Sequence, residues 1–202
     1  MTNEQTKTFA RSNQKAMLLL LTATHDYAAA RCLLLNGLFS GLPVGAQAIE
    51  KFLKASILFA EPTKNIPNTH HLPRLLAIAE GLIPDLIPLS LSSTAQHFYE
   101  CYQTRYPDNS NQPISMDTGK REQLDEMVIA INSHLPCPRN VKMRSGLFAG
   151  ITFSLNRLNS ESPTERWVKQ GNLALALVWR QIERDYFETM KELYPQTPEL
   201  HS

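Results

Sequence analysis

The chain has 202 residues, 43% of them hydrophobic and 19% charged, which is enough apolar material for a packed core and excludes wholesale disorder. Lys plus Arg number 20 against 19 Asp plus Glu, so neither a globally basic nucleic-acid coat nor an acidic tail is present. Only eight glycines argue against Gly-rich phosphate loops and against a turn-dense all-β fold.

Hydrophobic period sets the fold class. From about Asn13 to Asn36, Met17, Leu20, Leu21, Ala28, Cys32 and Leu35 recur at helical spacing, and Gly37 is placed to end the helix. Pro43 suits the first turn of a second helix, along which Ile49, Leu53 and Ile57 form a four-residue stripe. Glu50 and Lys54 on that helix form an i,i+4 pair in the favourable order, worth about 0.3–0.5 kcal/mol where exposed. Pro62 and Pro67 bracket a loop. A shorter helix follows over His71–Leu82, with His70 or His71 as its cap and Gly81 and Pro84 as its stop.

A fourth helix is expected over Ser92–Arg105, then a loop rich in Pro, Asn, Asp and Ser over Tyr106–Asp117. Gly119–His134 is helical again, with Leu124, Met127, Val128 and Ile131 on one face. Pro136 and Pro138 then break the chain, and Val141–Leu158 favours neither helix nor strand. Ser162-Pro163-Thr164-Glu165 has the form of a capping box. It opens a last helix on which Leu175, Trp179, Ile182, Tyr186 and Leu193 face one way. The expected architecture is all-α: an up-and-down bundle of four to five helices over 13–135, with a C-terminal helical extension over 136–202 packed on it.

The three cysteines, Cys32, Cys101 and Cys137, are odd in number and form no C-x-x-C pair, which points to reduced thiols. The polar N-terminus has no apolar core behind a basic start, and the run Ala16–Leu21 is too short for a signal core or a membrane span. A soluble, cytoplasmic protein with no membrane partner is expected. No H-x-x-x-H or E-x-x-H spacing suggests a metal, and no phosphate-binding or dinucleotide fingerprint suggests a cofactor.

Three stretches carry a family resemblance: Asp26-Tyr27-Ala28-Ala29-Ala30-Arg31, then Ala46-Gln47-Ala48-Ile49-Glu50-Lys51-Phe52-Leu53-Lys54-Ala55 with Thr69-His70-His71-Leu72 behind it, then Arg105-Tyr106-Pro107-Asp108. In that order they resemble the HEPN family, helical domains named for nucleotide binding in higher eukaryotes and prokaryotes. The resemblance implies a bundle that forms a homodimer, with polar residues gathered in a cleft between its central helices. It also implies one of three roles: a metal-independent ribonuclease with an R-x(4–6)-H signature, a partner of a small nucleotidyltransferase, or a nucleotide-binding or scaffolding module.

The signature is missing. None of His25, His70, His71, His97, His134 and His201 follows an Arg at the required spacing, and Arg105 is followed by Tyr-Pro-Asp-Asn-Ser-Asn-Gln with no imidazole for acid–base work. The expected function is therefore a non-catalytic HEPN-like protein that binds a nucleotide or RNA, or joins a protein partner. Its candidate binding residues are Arg105, Asp108, Lys51, Lys54, Glu50 and Arg31. Arg105 with Asp108 can present a guanidinium to phosphate or simply close a helix end. Lys51 and Lys54 can reach phosphate or form a solvated face. Asp26 and Arg31 can reach Glu50 or Lys54 as a buried network. One alternative is a ribonuclease with a non-standard set of Arg105, Asp108 and His97. Another is a structural or regulatory scaffold whose last helix docks a protein. Between Arg139 and Arg184, eight basic residues stand against three acidic ones beside Trp167 and Trp179, a mixture that can also contact nucleic acid.

Overall fold

A computed structural model describes residues 3–106, 118–137, 163–193 and 195–196. Seven α-helices occur among them: α1 (Asn3–Leu35), α2 (Gly41–Ala60), α3 (Leu72–Glu80), α4 (Ser92–Gln103), α5 (Thr118–Ser133), α6 (Pro163–Lys169) and α7 (Leu173–Leu193), with a short 3₁₀ turn at Leu89–Leu91. Among the described residues there are no strands, and the protein is an all-α helical bundle.

The centre of the bundle is α2, which packs on α1, α3, α4 and α5. Its sequence accounts for that position: Leu42, Ala46, Ile49, Phe52, Leu53 and Ile57 are all but fully buried, and so are small residues on its other flanks. A helix apolar on nearly every side has to be surrounded. The stripe of Ile49, Leu53 and Ile57 reaches zero exposure, as does the α5 face of Leu124, Met127, Val128 and Ile131. Full burial of each such side chain contributes about 1.5–3 kcal/mol.

The chain enters α2 through a tight exit from α1. Gly37 adopts φ +71°, its N–H donates to the Leu34 carbonyl at 3.0 Å and the Leu38 N–H reaches back to Leu33 at 2.9 Å. This Schellman-type stop needs a residue without a Cβ penalty in the left-handed region. Four residues on, Gly41 lets α1 and α2 touch, since a Cβ there would lie 2.7 Å from Leu34 Cγ and 2.8 Å from the Ala30 carbonyl oxygen.

α1 departs from its expected form twice. It starts at Asn3 rather than Asn13, because the polar stretch before Asn13 contains no Gly or Pro and continues the helix. Its buried face is Ala16, Leu20, Ala23, Tyr27, Ala30 and Arg31, whereas Met17 and Leu21 are exposed at 38% and 46%. Close approach to α2 selects the small residues for the interface and turns those larger ones outward. Phe9–Leu35 is long and apolar enough by length and composition to cross a membrane, which the short run Ala16–Leu21 did not suggest. In this fold its inner face is spent on neighbouring helices.

The expected single C-terminal helix is two helices. Gly171 takes φ +61° and breaks the run after α6. Asn172 then caps α7, its Oδ1 accepting the Leu175 N–H at 2.9 Å. Ser162 of the anticipated capping box lies outside the described residues, as do Val141–Leu158 and residues 107–117 of the expected loop. α6 packs on α1 and α7 on α5, and Val168, Leu175, Ile182 and Tyr186 join the same hydrophobic core as the preceding helices.

A buried polar cluster holds that elbow. Arg31, wholly inaccessible, pairs with Asp125 of α5, donates from Nε to the Trp167 carbonyl at 2.7 Å and from Nη2 to the Gln170 carbonyl. It thereby satisfies acceptors that the end of α6 leaves without intrahelical donors. Tyr27, one turn earlier, donates to Asp125 Oδ1 at 2.7 Å and accepts from Asn172 Nδ2 at 2.8 Å. Burial pushes both the Asp125 carboxyl and, with the nearby Asp125 charge, the Tyr27 phenol above their ordinary values, against the pull of Arg31.

Two stability measurements check this reading. Arg31→Met strands Asp125 and two carbonyls, and its cost in denaturant unfolding is expected at about 3–5 kcal/mol, with Trp167 and Trp179 fluorescence shifting to longer wavelength as α6 and α7 loosen. Gly41→Ala drives a methyl into the Ala30 backbone and is expected to cost about 1–3 kcal/mol in the same assay. A cost near zero for either would refute the corresponding contact.

Candidate functional site

A groove outside the core lies between the loop ahead of α3 and the C-terminal half of α4. It has a volume of about 380 Å³ and is lined by Asn68, Thr69, His70, His71 and, from α4 and its end, Tyr99, Tyr102, Gln103 and Tyr106. The size suits one small ligand.

Local sequence builds both walls. Tyr99 and Tyr102 stand at i and i+3 on α4, so helical geometry aligns them on one side, and Tyr106, in the turn that follows the helix, joins the same wall with its ring edge-on to Tyr102 at 6.2 Å. The opposite wall is fixed by a cap: His71 precedes α3 and its Nδ1 accepts the Arg74 N–H at 3.1 Å. That bond requires a neutral His71 ring protonated at Nε2. Thr69 Oγ1 accepts the His71 N–H at 3.1 Å and tightens the turn. His71 leans on Tyr99, with ring centroids 4.5 Å apart, while His70 stacks on Tyr102 at 5.2 Å and 27°.

Beneath His70 sits Glu50, nine-tenths buried on the central helix. Its two oxygens are divided: Oε1 accepts from Lys54 Nζ at 2.7 Å, and Oε2 lies 2.9 Å from His70 Nδ1. With Glu50 ionised, His70 carries its proton on Nδ1, leaving Nε2 as the acceptor of the neutral ring. Lys54 thus serves the buried carboxylate, and the pair is more enclosed than the exposed helix pair the spacing alone suggests.

Arg105 follows α4 and is exposed, with its guanidinium carbon 5.6 Å from the centre of the Tyr102 ring. The cation lies against the stacking platform, beside the groove. Burial, reinforced by Tyr106, pushes the Tyr102 phenol up to about 12, so this tyrosine is a neutral donor and not a base near neutral pH.

The other candidates lie elsewhere. Lys51 pairs with Asp26 of α1 and ties the first hairpin. Arg31 reaches neither Glu50 nor Lys54 but the elbow cluster with Asp125. Asp108 lies outside the described residues. His97, expected to join Arg105 in the alternative acid–base set, packs instead on its own helix, with Nε2 3.4 Å from Cys101 Sγ. Burial pushes the Cys101 thiol up to about 11, which leaves no thiolate for nucleophilic chemistry. Among the described residues, no three His, Cys, Asp or Glu side chains gather as a metal site.

His70 and the three tyrosines line one groove, with Glu50 and its partner Lys54 behind His70 and Arg105 against Tyr102. The tyrosines were not among the sequence candidates. Their 3-and-4 spacing in the sequence carried a signal, but the same spacing also marks ordinary core packing, and the helix ends before Tyr106.

The raised Tyr102 ionisation has a pH consequence. A phenol that titrates at about 12 when folded and at about 10 when unfolded adds stability in full below about pH 10 and loses it as pH rises through about 12. Equilibrium unfolding is expected to show the wild-type advantage over Tyr102→Phe shrinking across that window. A constant difference would contradict a buried, proton-retaining Tyr102. No protein-family model, no curated protein and no solved structure matches this chain.

Proposed function

We propose that the protein is a non-catalytic, HEPN-like helical bundle whose groove holds a base of a nucleotide or of single-stranded RNA. The observation that carries this reading is the aromatic groove of His70, His71, Tyr99, Tyr102 and Tyr106, with Arg105 beside it. Aromatic faces accept any nucleobase by stacking, which is worth about 1–3 kcal/mol per base. The amides of Asn68 and Gln103 are donor and acceptor together, as the polar edge of a base requires. Arg105 supplies a fork-shaped cation for phosphate. The resemblance adds a second copy of the chain and a small nucleotidyltransferase as proposed partners, and the three cysteines without a C-x-x-C pair support the cytoplasm as the proposed location.

A second reading rests on Glu50 and His70. A carboxylate that orients an imidazole is the geometry of a general base, and a phosphate-competent Arg stands beside the same groove, against Tyr102. The same groove then serves a metal-independent ribonuclease that uses His70 in place of the missing signature histidine.

One experiment separates them. Labelled single-stranded RNA is incubated with the protein in chelator and resolved on a denaturing gel, and adenosine monophosphate is titrated in thermal unfolding. For base binding, the RNA stays intact and saturating nucleotide stabilises the protein, by about 2.7 kcal/mol at a hundredfold excess over Kd. Arg105→Ala and Tyr106→Ala, both at exposed positions, each weaken binding by about fivefold or more. Cleavage that disappears in His70→Ala establishes the second reading. Intact RNA with no nucleotide response removes both.

A further inference from the structure

The outward face of α7 has a composition that the bundle does not need. Leu173, Leu177, Arg180, Arg184, Phe187 and Lys191 fall within about 40° of one line along the helix. All six are exposed: Leu177 keeps 88% of its surface, Leu173 71% and Phe187 37%. The core contacts of α7 come from the opposite side, through Leu175, Ile182, Tyr186 and Thr189. Two nearly bare leucines and a phenylalanine on the same line as three cations are the pattern of a contact surface.

Beside this line opens a cavity of about 330 Å³, away from the groove at α4. Its lining includes Leu175, Ala176 and Trp179, with Asn172 at one end and Arg180 shared with the stripe. Lys169 Nζ stands 4.4 Å from the Trp179 ring centre. An apolar side chain entering there meets an aromatic wall and a leucine floor, as an interface anchor does.

From this we infer that the outer face of α7 docks an acidic amphipathic helix of another protein, one apolar side chain seated against Trp179 and its carboxylates on Arg180, Arg184 and Lys191. Charge decides the occupant. No carboxylate of α7 falls on the stripe itself, the nearest being Glu188 and Glu183 at about 60° and 80° to either side. A second copy is disfavoured by register. The antiparallel pairing that sets Leu177 on Phe187 also sets Arg180 on Arg184, a like-charge contact at the centre of the pair. Nucleic acid would satisfy the cations but leave the leucines in water.

The test uses the full chain and two fluorescent synthetic helices. Both carry Leu at i, i+3, i+4 and i+7; one has Glu on its flanks and the other Lys. Anisotropy is expected to rise with the Glu helix only. Leu177→Asp, at a position with no packing to lose, removes that binding. The double variant Arg180→Glu/Arg184→Glu weakens it by at least about tenfold and takes up the Lys helix instead, an exchange that mere structural damage would not produce. Circular dichroism verifies the helical content of each variant. Binding of neither helix, equal binding of both, α7-dependent self-association, or stronger uptake by phosphatidylserine vesicles than by the Glu helix would each overturn the inference. None of these readouts involves the groove, so nucleotide binding can fail while this docking holds, and the reverse.

Discussion

The buried guanidinium of Arg31 is the constraint on which the rest depends. An arginine with no exposed surface is tolerable only when its charge is paired and its donors are used. Here Asp125 supplies the charge while the carbonyls of Trp167 and Gln170 take two further donors. Three helices distant in sequence are thereby fixed at one point, and the direction in which α7 leaves that point follows. A hydrophobic contact of the same area would hold the helices together without setting the angle, since dispersion is not directional and a forked donor is. Tyr27 and Asn172 complete the cluster, so that α1 reads the end of α6 and the start of α7 at once.

The groove depends on a second buried charge, handled in the opposite way. Glu50 lies on the most enclosed helix, yet it faces a wall that opens to solvent. Lys54 offsets part of its desolvation and His70 uses the remaining oxygen. The ring of His70 is in turn locked against Tyr102. Buried carboxylate, half-exposed imidazole and aromatic platform thus form a rigid chain from core to surface, and rigidity is what lets a small groove hold a flat ligand without a large ordering cost. Arg105, unlike Arg31, is exposed. Both are arginines near a helix end, one a structural clamp and the other a surface cation, and only burial separates the roles.

The all-α class and most helix positions were legible in the sequence, because helical period survives any tertiary arrangement. The α2 stripe, the α5 face, the stop at Gly37 and a histidine cap on α3 are all local matters. The break at Gly171 was legible in kind, a Gly followed by Asn before an apolar run, but a helix expected to open at the Ser162 capping box runs straight across it. The expected face of α1 holds in part: Leu20 and Ala28 are buried, while Met17 and Leu21 turn outward. Met17 and Leu21 have the stronger transfer energy, yet Ala16, Ala23 and Ala30 take the interface beside Leu20 and Tyr27, since small residues permit the approach that Gly41 allows. Of the candidate site residues, Glu50 and Lys54 were joined correctly by spacing, whereas the partners of Arg31 and Lys51 lie on other helices and no spacing rule reaches them.

By itself, then, the sequence determined the all-α class, most helix positions, the Gly37 stop, the histidine cap of α3 and the apolar faces of α2 and α5, together with the absence of the ribonuclease signature and a supply of basic and aromatic residues. Tertiary structure alone decided which charges meet: Arg31 with Asp125, Lys51 with Asp26, Glu50 with His70. It also decided that three tyrosines and two histidines face one groove, and that the leucines of α7 face outward. The physical reason is range. Propensity, capping and periodicity act over a few residues of chain, while ion pairs, ring stacks and exposed faces are settled by packing between segments far apart in sequence, such as Arg31 and Gln170.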